Sequence, residues 1–397
     1  MPGFELFGEK ERHEVNKVLD TGVLMRYGFD GMRQGQWKAL ELETALARRM
    51  GTRYAQLVSS GTAALTVAMA SAGVGAGDEV ILPTFTFVAS FEAVLALGAL
   101  PILVDIDDTL TLDPEAVEKA ITTKTKVVMP VHMCGSMADL SALRSICEKY
   151  KLLLLEDACQ AIGGTYEGKP LGSYGDVGCF SFDYVKTITC GEGGALITNN
   201  ESIKKNADHF SDHGHDHVGN DRGAEGHPFL GYNYRISELN AAVGVAQLER
   251  LDEFLALQKK HYSILRDAIS NIPGVTFRRV PEGGEENYSF LNFFMADEHI
   301  ARNTHKALSE AGIDGCFYWF DNNWHYVKKW DHLKNLNSLG PIAKEVRAQL
   351  PDYHKMDFSA SHHWMGRNIS LLIKIGWTEK EVRDRGENIK AVLSKGV

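Results

Sequence analysis

Cysteine is scarce in this chain. Six residues, at positions 134, 147, 159, 179, 190 and 316, are spread over 397, and no two form a CxxC pair. That excludes a zinc ribbon, is too sparse for a disulfide scaffold and suits a reducing compartment. Long apolar runs are also missing. The longest, 93–104, falls short of the roughly 18 residues that a membrane span needs. There is no basic excess: 42 Lys and Arg face 52 Asp and Glu, a formal net charge of −10. Such a chain is a poor electrostatic partner for nucleic acid or anionic lipid. The opening stretch MPGFELFGEKERHE carries charge where a secretory signal needs an apolar core. Internal repeats and low-complexity tracts are absent. These absences predict a cytoplasmic protein without nucleic-acid or membrane partners. The hydrophobic fraction of 44% and charged fraction of 24% are those of a globular chain.

Hydrophobic patterning predicts helices over 10–20 and 37–50, each ending at glycine. Short apolar runs then alternate with helical stretches: strands over 54–59, 79–82, 101–104, 125–130 and 152–155, helices over 61–72, 87–97, 114–121 and 139–150. The run Leu152–Leu155 has no polar alternation, which implies burial on both faces, as in a parallel sheet covered by helices. Runs at 177–182 and 195–198 complete a doubly wound, mostly parallel α/β sheet of about seven strands. One or two long helices follow over 236–269. Beyond them, strands at 275–280 and 288–295, a helix at 301–311, a strand at 368–375 and a helix at 379–393 predict a small α+β domain. The expected division is a large domain over 1–250 and a small one over 251–397.

Ligands of open parallel sheets bind beyond the carboxyl ends of the strands, so the residues just after each strand carry most information. After the first strand, Ser60-Gly61-Thr62 opens a helix and offers small residues and free N–H groups to an anion; an ordinary serine cap is the alternative. Phe87 follows the second strand and either stacks on a flat ligand or joins the core. Asp157, at the tip of LLLL, either caps a helix or faces a cationic ligand atom, with Gln160 close behind. Ser181 ends the next strand, and Lys186 follows shortly before the Gly-rich turn 191–194. Most lysines are surface charges, but small and apolar residues crowd this one, and a lysine held among them serves as a nucleophile. Asn233 lies in Gly231-Tyr232-Asn233-Tyr234-Arg235, a helix entry rich in aromatics. Taken together, an anion seat, an aromatic, a strand-tip aspartate and a lysine, in that order on a parallel sheet, are what pyridoxal 5'-phosphate requires.

The stretches SSGTAAL, EDACQAIGG, SFDYVKTITCGEGGALITNN and GYNYRISELNAA resemble blocks of the DegT/DnrJ/EryC1/StrS sugar aminotransferases, and the resemblance covers essentially the whole chain. It implies the type I fold of the aspartate aminotransferases, an amino donor such as L-glutamate, and a homodimer with shared active sites. It further implies that Lys186 forms the Schiff base with the cofactor and shuttles the proton, and that Asp157 pairs with the ring nitrogen. Gln160 would lie near the ring hydroxyl, Phe87 on the ring, and Gly61, Thr62 and Ser181 at the phosphate, with Asn233 reaching the phosphate of the neighbouring subunit. One branch of this fold carries His in place of the Lys and removes a hydroxyl; Lys186 favours transamination.

Other stretches depart from the family average: the His-rich FSDHGHDHVGNDRGAEGHP at 210–228 and the aromatic GCFYWFDNNWHYVKKW at 315–330. With MPGFELFG, RYGFDGMR and HMCGSM they resemble a narrower branch, whose members aminate the C8 aldehyde of oxidised 3-deoxy-manno-octulosonate (Kdo), a lipopolysaccharide sugar. The alternative acceptor is a nucleotide-linked keto-hexose. Glutamate and an acidic sugar aldehyde both carry carboxylates, which call for Arg or clustered donors. Arg26, Arg222 and Arg235 are candidates, with His215 and His325 assisting. His213, His215 and His217 alternate beside Asp212 and Asp216, but in a polar Gly-rich loop serving a chemistry that needs no metal, so none is expected. Trp324 and Trp330 read as core or subunit interface. A regulatory protein that has lost turnover is the remaining alternative, disfavoured by the joint presence of Lys186, Asp157 and Ser181.

Overall fold

The computed structural model describes residues 3–219 and 221–395. Two helices, α1 (Glu9–Thr21) and α2 (Lys38–Met50), come first. Each stops on a glycine with positive φ, Gly22 at 68° and Gly51 at 65°, which closes the last turn without a Cβ clash. The chain then alternates: β1 (Tyr54–Val58), α3 (Gly61–Ser71), β2 (Glu79–Pro83), α4 (Val88–Ala96), β3 (Leu100–Val104), α5 (Pro114–Ala120), β4 (Thr125–Val128), α6 (Leu140–Tyr150) and β5 (Leu153–Asp157). The short strands β6 (Thr165–Tyr166) and β7 (Lys169–Pro170) precede β8 (Val177–Ser181) and β9 (Gly194–Thr198).

The main sheet has seven strands in the order β1-β9-β8-β5-β4-β2-β3. Only β9 runs antiparallel to its neighbours, β1 and β8. This is the α/β architecture expected from the alternating pattern. Strand β2 is buried at every position, the mark of a sheet covered on both faces. Helix α3 has almost no polar face, because it lies against the sheet with nine of its residues buried.

After α7 (Glu201–Phe210), the long helical pattern resolves into α8 (Glu238–Glu249) and α9 (Leu251–Ile269). A second, antiparallel sheet of four strands follows in the order β10-β12-β14-β13, made by β10 (Thr276–Phe277), β12 (Phe290–Phe294), β13 (Cys316–Phe317) and β14 (Asn368–Leu372). The remaining strand, β11 (Gly284–Glu285), pairs instead with β6 and ties this part of the chain to the main one. Helices at Glu298–Glu310 and Glu379–Leu393 accompany the second sheet, as expected; β13 and the helix Ser359–Arg367 were not foreseen. Among the described residues no helix is long and apolar enough to cross a membrane.

Candidate active site

Beyond the carboxyl ends of β1, β2, β5 and β8 lies a cavity of about 290 Å³. Its wall carries Gly61, Thr62, Phe87, Asp157, Gln160, Ser181 and Lys186, every cofactor residue expected from the sequence except Asn233. Of the expected substrate residues, His325 alone is there.

One end of the cavity is the start of α3. Ser60 caps this helix, its hydroxyl accepting the Ala63 amide at 3.0 Å. Among the described residues, no hydrogen bond occupies the Gly61 and Thr62 amides, so both are free for an anion at the positive end of the helix. The approach of α3 to β8 depends on glycine: a Cβ on Gly61 would lie 2.7 Å from that of Ser181.

Asp157 ends β5 and is 4% exposed. Its Oδ2 accepts from the Ser90 hydroxyl at 2.8 Å and its Oδ1 from the Cys159 amide at 3.1 Å. Among the described residues its side-chain partners are these two uncharged donors and no cation. A buried carboxylate without a counter-charge is costly, and a protonated ring nitrogen in the cavity would remove that cost. Its neighbour Glu156 points to the other face of the strand. There it meets His132 Nε2 at 2.9 Å and accepts the amides of Gly172 and Gly175, so its charge is spent on a loop.

Lys186 stands in the loop after β8. Asp183 shapes the turn, its carboxylate accepting the Val185 amide at 3.0 Å and its carbonyl the Lys186 amide at 3.1 Å. The lysine is half-buried, and among the described residues its Nζ makes no hydrogen bond or ion pair. Cys159 lies on the same wall; burial, and after it the Asp157 charge, raise its thiol well above the usual range. It is therefore protonated at neutral pH and is no nucleophile.

The remaining wall comes from the aromatic stretch 315–330. It bonds to the chain after β2 through Thr86 N–H to His325 C=O (3.0 Å), Val88 N–H to Trp324 C=O (2.9 Å) and Val327 N–H to Thr84 C=O (3.2 Å). The Phe87 ring thereby stands 5.3 Å from His325 and 6.1 Å from Trp324. Trp324, expected as core or interface, is 59% exposed on this wall, whereas Trp330 is fully buried. Burial, and then the positive charge of Lys186, push His325 down to about 3. Asn322 Oδ1 accepts the Trp324 amide at 2.9 Å and faces His325 Nδ1 at 3.0 Å. Nδ1 therefore carries the hydrogen, which leaves Nε2 as an acceptor. A neutral imidazole of this kind receives a hydroxyl; it does not neutralise a carboxylate.

The other substrate candidates do not line this cavity, and each is paired elsewhere in the chain. Arg26 is buried against Glu43 at 2.6 Å, and Glu43 also holds the Leu57 amide. Arg222 and Arg235 both pair with the buried Asp212, and His215 faces Glu225 at 2.8 Å. His217 bridges Asp208 at 3.0 Å and Asp212 at 2.9 Å. Asn233 is exposed, in a turn bridged to Asp212. Among the described residues no group of three or more His, Cys, Asp or Glu is arranged to hold a metal ion. Sequence reading missed Ser90, Asp183 and Glu192, all on the cavity wall. The spacing of Thr86 and Ser90, one helical turn apart, was the available signal for the first.

Known proteins resemble the chain throughout its length. GDP-perosamine synthase of Vibrio cholerae is 38% identical over 315 residues, 79% of each chain. The 3-amino-5-hydroxybenzoate synthase of Amycolatopsis mediterranei (strain S699) is 37% identical over 320 residues, again 79% of each. The solved aminotransferase from Psychrobacter cryohalolentis superposes with a TM-score of 0.85 over 98% of both chains at 25% identity. The family pattern itself matches residues 7–384, so the chain belongs to the DegT/DnrJ/EryC1/StrS aminotransferase family and is a transaminase dependent on pyridoxal 5'-phosphate.

Proposed function

We propose that the chain moves the amino group of L-glutamate onto the C8 aldehyde of 8-oxidised Kdo, giving 8-amino-3,8-dideoxy-manno-octulosonate and 2-oxoglutarate for lipopolysaccharide synthesis. When bound, the cofactor supplies an aldehyde for the incoming amine and a sink for the electrons left when a proton leaves the amino carbon. The protein supplies the rest. Lys186 is the nucleophile that holds the cofactor and afterwards the base that carries the proton. Asp157 would keep a proton on the ring nitrogen, and Ser90 and the Cys159 amide fix the orientation of its carboxylate. Gly61, Thr62 and Ser181 would hold the phosphate, and Phe87 and Gln160 would hold the ring. In this reading residues 1–250 hold the cofactor, and residues 251–397, which contribute Trp324 and His325, close over it.

The observation that carries the mechanism is a Lys186 amine on one wall with the buried Asp157 carboxylate, neither of them in an ion pair among the described residues. Charge supports a homodimer with shared sites. Lys186 is the cavity's sole cationic side chain among the described residues, against Asp157, Asp183 and Glu192. A phosphate and two acidic substrates need more positive charge than that, and the chain before α2 and the chain before α8 expose Leu24, Phe29, Met32, Val218, Leu230 and Tyr232, apolar side chains that a second copy would cover.

The wording of the stretches 210–228 and 315–330 supports the octulosonate acceptor, with His325 Nε2 receiving a sugar hydroxyl. The likeness to a GDP-perosamine synthase favours a second reading, a nucleotide-linked keto-hexose as acceptor. Amino transfer from glutamate to 8-oxidised Kdo, run beside a panel of nucleotide keto-hexoses, decides. Turnover of the octulosonate aldehyde is expected; turnover of a nucleotide sugar alone would replace the first reading with the second.

A further inference from the structure

The single 3-10 turn Gly3–Leu6 fastens to three separate parts of the molecule. Its first contact is with the lysine loop. Gly3 N–H donates to the Lys186 carbonyl at 3.0 Å, and the Phe4 ring lies flat on Tyr184, with centroids 4.1 Å apart and planes within 5°. Its second is with the end of α8 and the start of α9. Gln247 Nε2 reaches the Gly3 carbonyl at 3.4 Å while its Oε1 accepts the Thr189 amide at 3.3 Å, and Arg250 holds the Leu6 carbonyl. Its third is with the chain just after β14, where Glu5 Oε2 accepts the amides of Ile375 and Gly376, both at 2.8 Å.

The fit leaves no slack. A Cβ on Gly3 would lie 2.1 Å from Gln247 Oε1 and 2.8 Å from the Thr187 carbonyl. On the other side, Tyr184 and Val185 are 53% and 50% exposed, so the outer surface of the lysine loop has little else of this chain packed on it. A loop held from inside by the Asp183 turn and from outside by Gly3 and Phe4 has one position for its backbone at 186.

We infer that residues 3–6 are a strap that fixes the register of Lys186 and couples it to the chain after β14, which makes Phe4 and Glu5 positioning residues for transamination. The inference rests on the reading of Lys186 as the lysine that holds the cofactor. Neither residue lines the cavity; both act through the backbone of the lysine loop. Small misplacement of a reacting group is expensive, on the order of a hundredfold in rate per ångström, so a loosened strap shows in kcat before it shows in KM.

The test uses the full chain and three measurements. Hydrogen exchange of the cofactor-free protein reads the loop 182–190 against the strands β1 and β5. Borohydride trapping of pyridoxal phosphate, followed by peptide mapping, reads which lysine holds the cofactor and how fast. Steady-state kinetics with glutamate read kcat and KM. For Phe4→Ala we expect faster exchange confined to the loop, slower trapping at Lys186 and a kcat lower by about tenfold with KM little changed. Phe4→Tyr, which keeps the stacked ring, restores all three. Trapping of the wild-type protein at another lysine would overturn the reading of Lys186 itself. Trapping at Lys186 in the wild type, with loop exchange, trapping rate and kcat all unchanged in Phe4→Ala, would overturn the strap alone. Should Phe4→Ala not fold, Glu5→Ala carries the test, since it leaves Phe4 on Tyr184 and releases only the amides of 375 and 376; unchanged loop exchange and trapping there would overturn the strap equally.

Discussion

Ser90 donates a 2.8 Å hydrogen bond to Oδ2 of Asp157, and the hydroxyl of Thr86 lies 2.6 Å from that of Ser90. The carboxylate at the tip of β5 is thus aimed by the first turn of α4, the helix that Phe87 caps. Geometry of this kind separates two roles. Asp157→Asn keeps the shape and loses the charge: cofactor retention is expected to survive, while kcat falls by ~10²- to 10³-fold. Ser90→Ala keeps the charge and loses one restraint, with an expected loss of about tenfold, the value of one hydrogen bond to a charged group. Cofactor content by absorbance and single-turnover rates with glutamate measure both. Equal rates in Asp157→Asn and wild type would remove the role given to the aspartate.

Lys186→Ala tests the nucleophile. Its Nζ makes no hydrogen bond or ion pair among the described residues, so removing it leaves no buried group unsatisfied. The thermal midpoint is expected to correspond to a change within about 0.5 kcal/mol, while transamination is lost. Calorimetry alongside a glutamate half-reaction checks this pair. Residual turnover near the wild-type rate would exclude the lysine from the chemistry.

Legibility followed burial and locality. LLLL before Asp157 announced a strand covered on both faces, and β5 is that strand. The glycines ending α1 and α2 marked their own stops. The pattern over 236–269 does not distinguish one helix from two, and the break falls at Arg250, whose guanidinium reaches both the nearby Glu253 and the distant Leu6 carbonyl. Strand β13 has two residues and owes its existence to pairing with β14, so no local pattern could show it. At the site, residues adjacent to a strand end were readable. The cationic candidates were not, since composition reveals a guanidinium but not the carboxylate that takes it. Asp212 receives Arg222, Arg235 and His217 at once, a convergence of segments that only the fold brings together.

Gly194 offers a test of the anion seat that leaves its side chains untouched. A Cβ there would lie 2.2 Å from the Ser60 carbonyl oxygen and 2.8 Å from the Gly61 nitrogen. Both are backbone atoms, so the start of α3 must shift. Gly194→Ala is expected to destabilise the fold by roughly 1–3 kcal/mol and to weaken pyridoxal phosphate binding more than binding of unphosphorylated pyridoxal. Gly75→Ala is the control, because among the described residues nothing lies within 4 Å of a Cβ there. Denaturant melts and cofactor titrations measure the two effects, and equal loss for both vitamers would detach the phosphate from α3.

His217 joins Asp208 to Asp212 and stacks on Tyr27, with rings 4.1 Å apart. Burial opposes its charge, but the hydrogen bonds it donates to the two carboxylates prevail and raise it from 6.5 to about 9. In Asp208 and Asp212 burial is likewise outweighed, by His217 and by Lys204, Arg222 and Arg235, and both fall well below the usual carboxylate range. The signs follow from which state holds the proton more tightly. For His217 the folded state does, so its contribution is complete below pH 6.5 and fades as pH rises through about 9. For the aspartates the folded state releases the proton more readily, so their contribution is present above 3.8 and fades as pH falls further. Stability from this cluster is therefore greatest between about pH 4 and 6.5 and declines on the alkaline side. His217→Gln is expected to lower the thermal midpoint at pH 6 and to flatten its fall between pH 6.5 and 9, whereas the wild type loses several degrees over the same range. Because the His217 contribution is complete below pH 6.5, the deficit of the variant relative to the wild type is expected to be largest there and to close as pH rises through about 9. Parallel melting curves for the two proteins across that range would show that the bridge carries no charge.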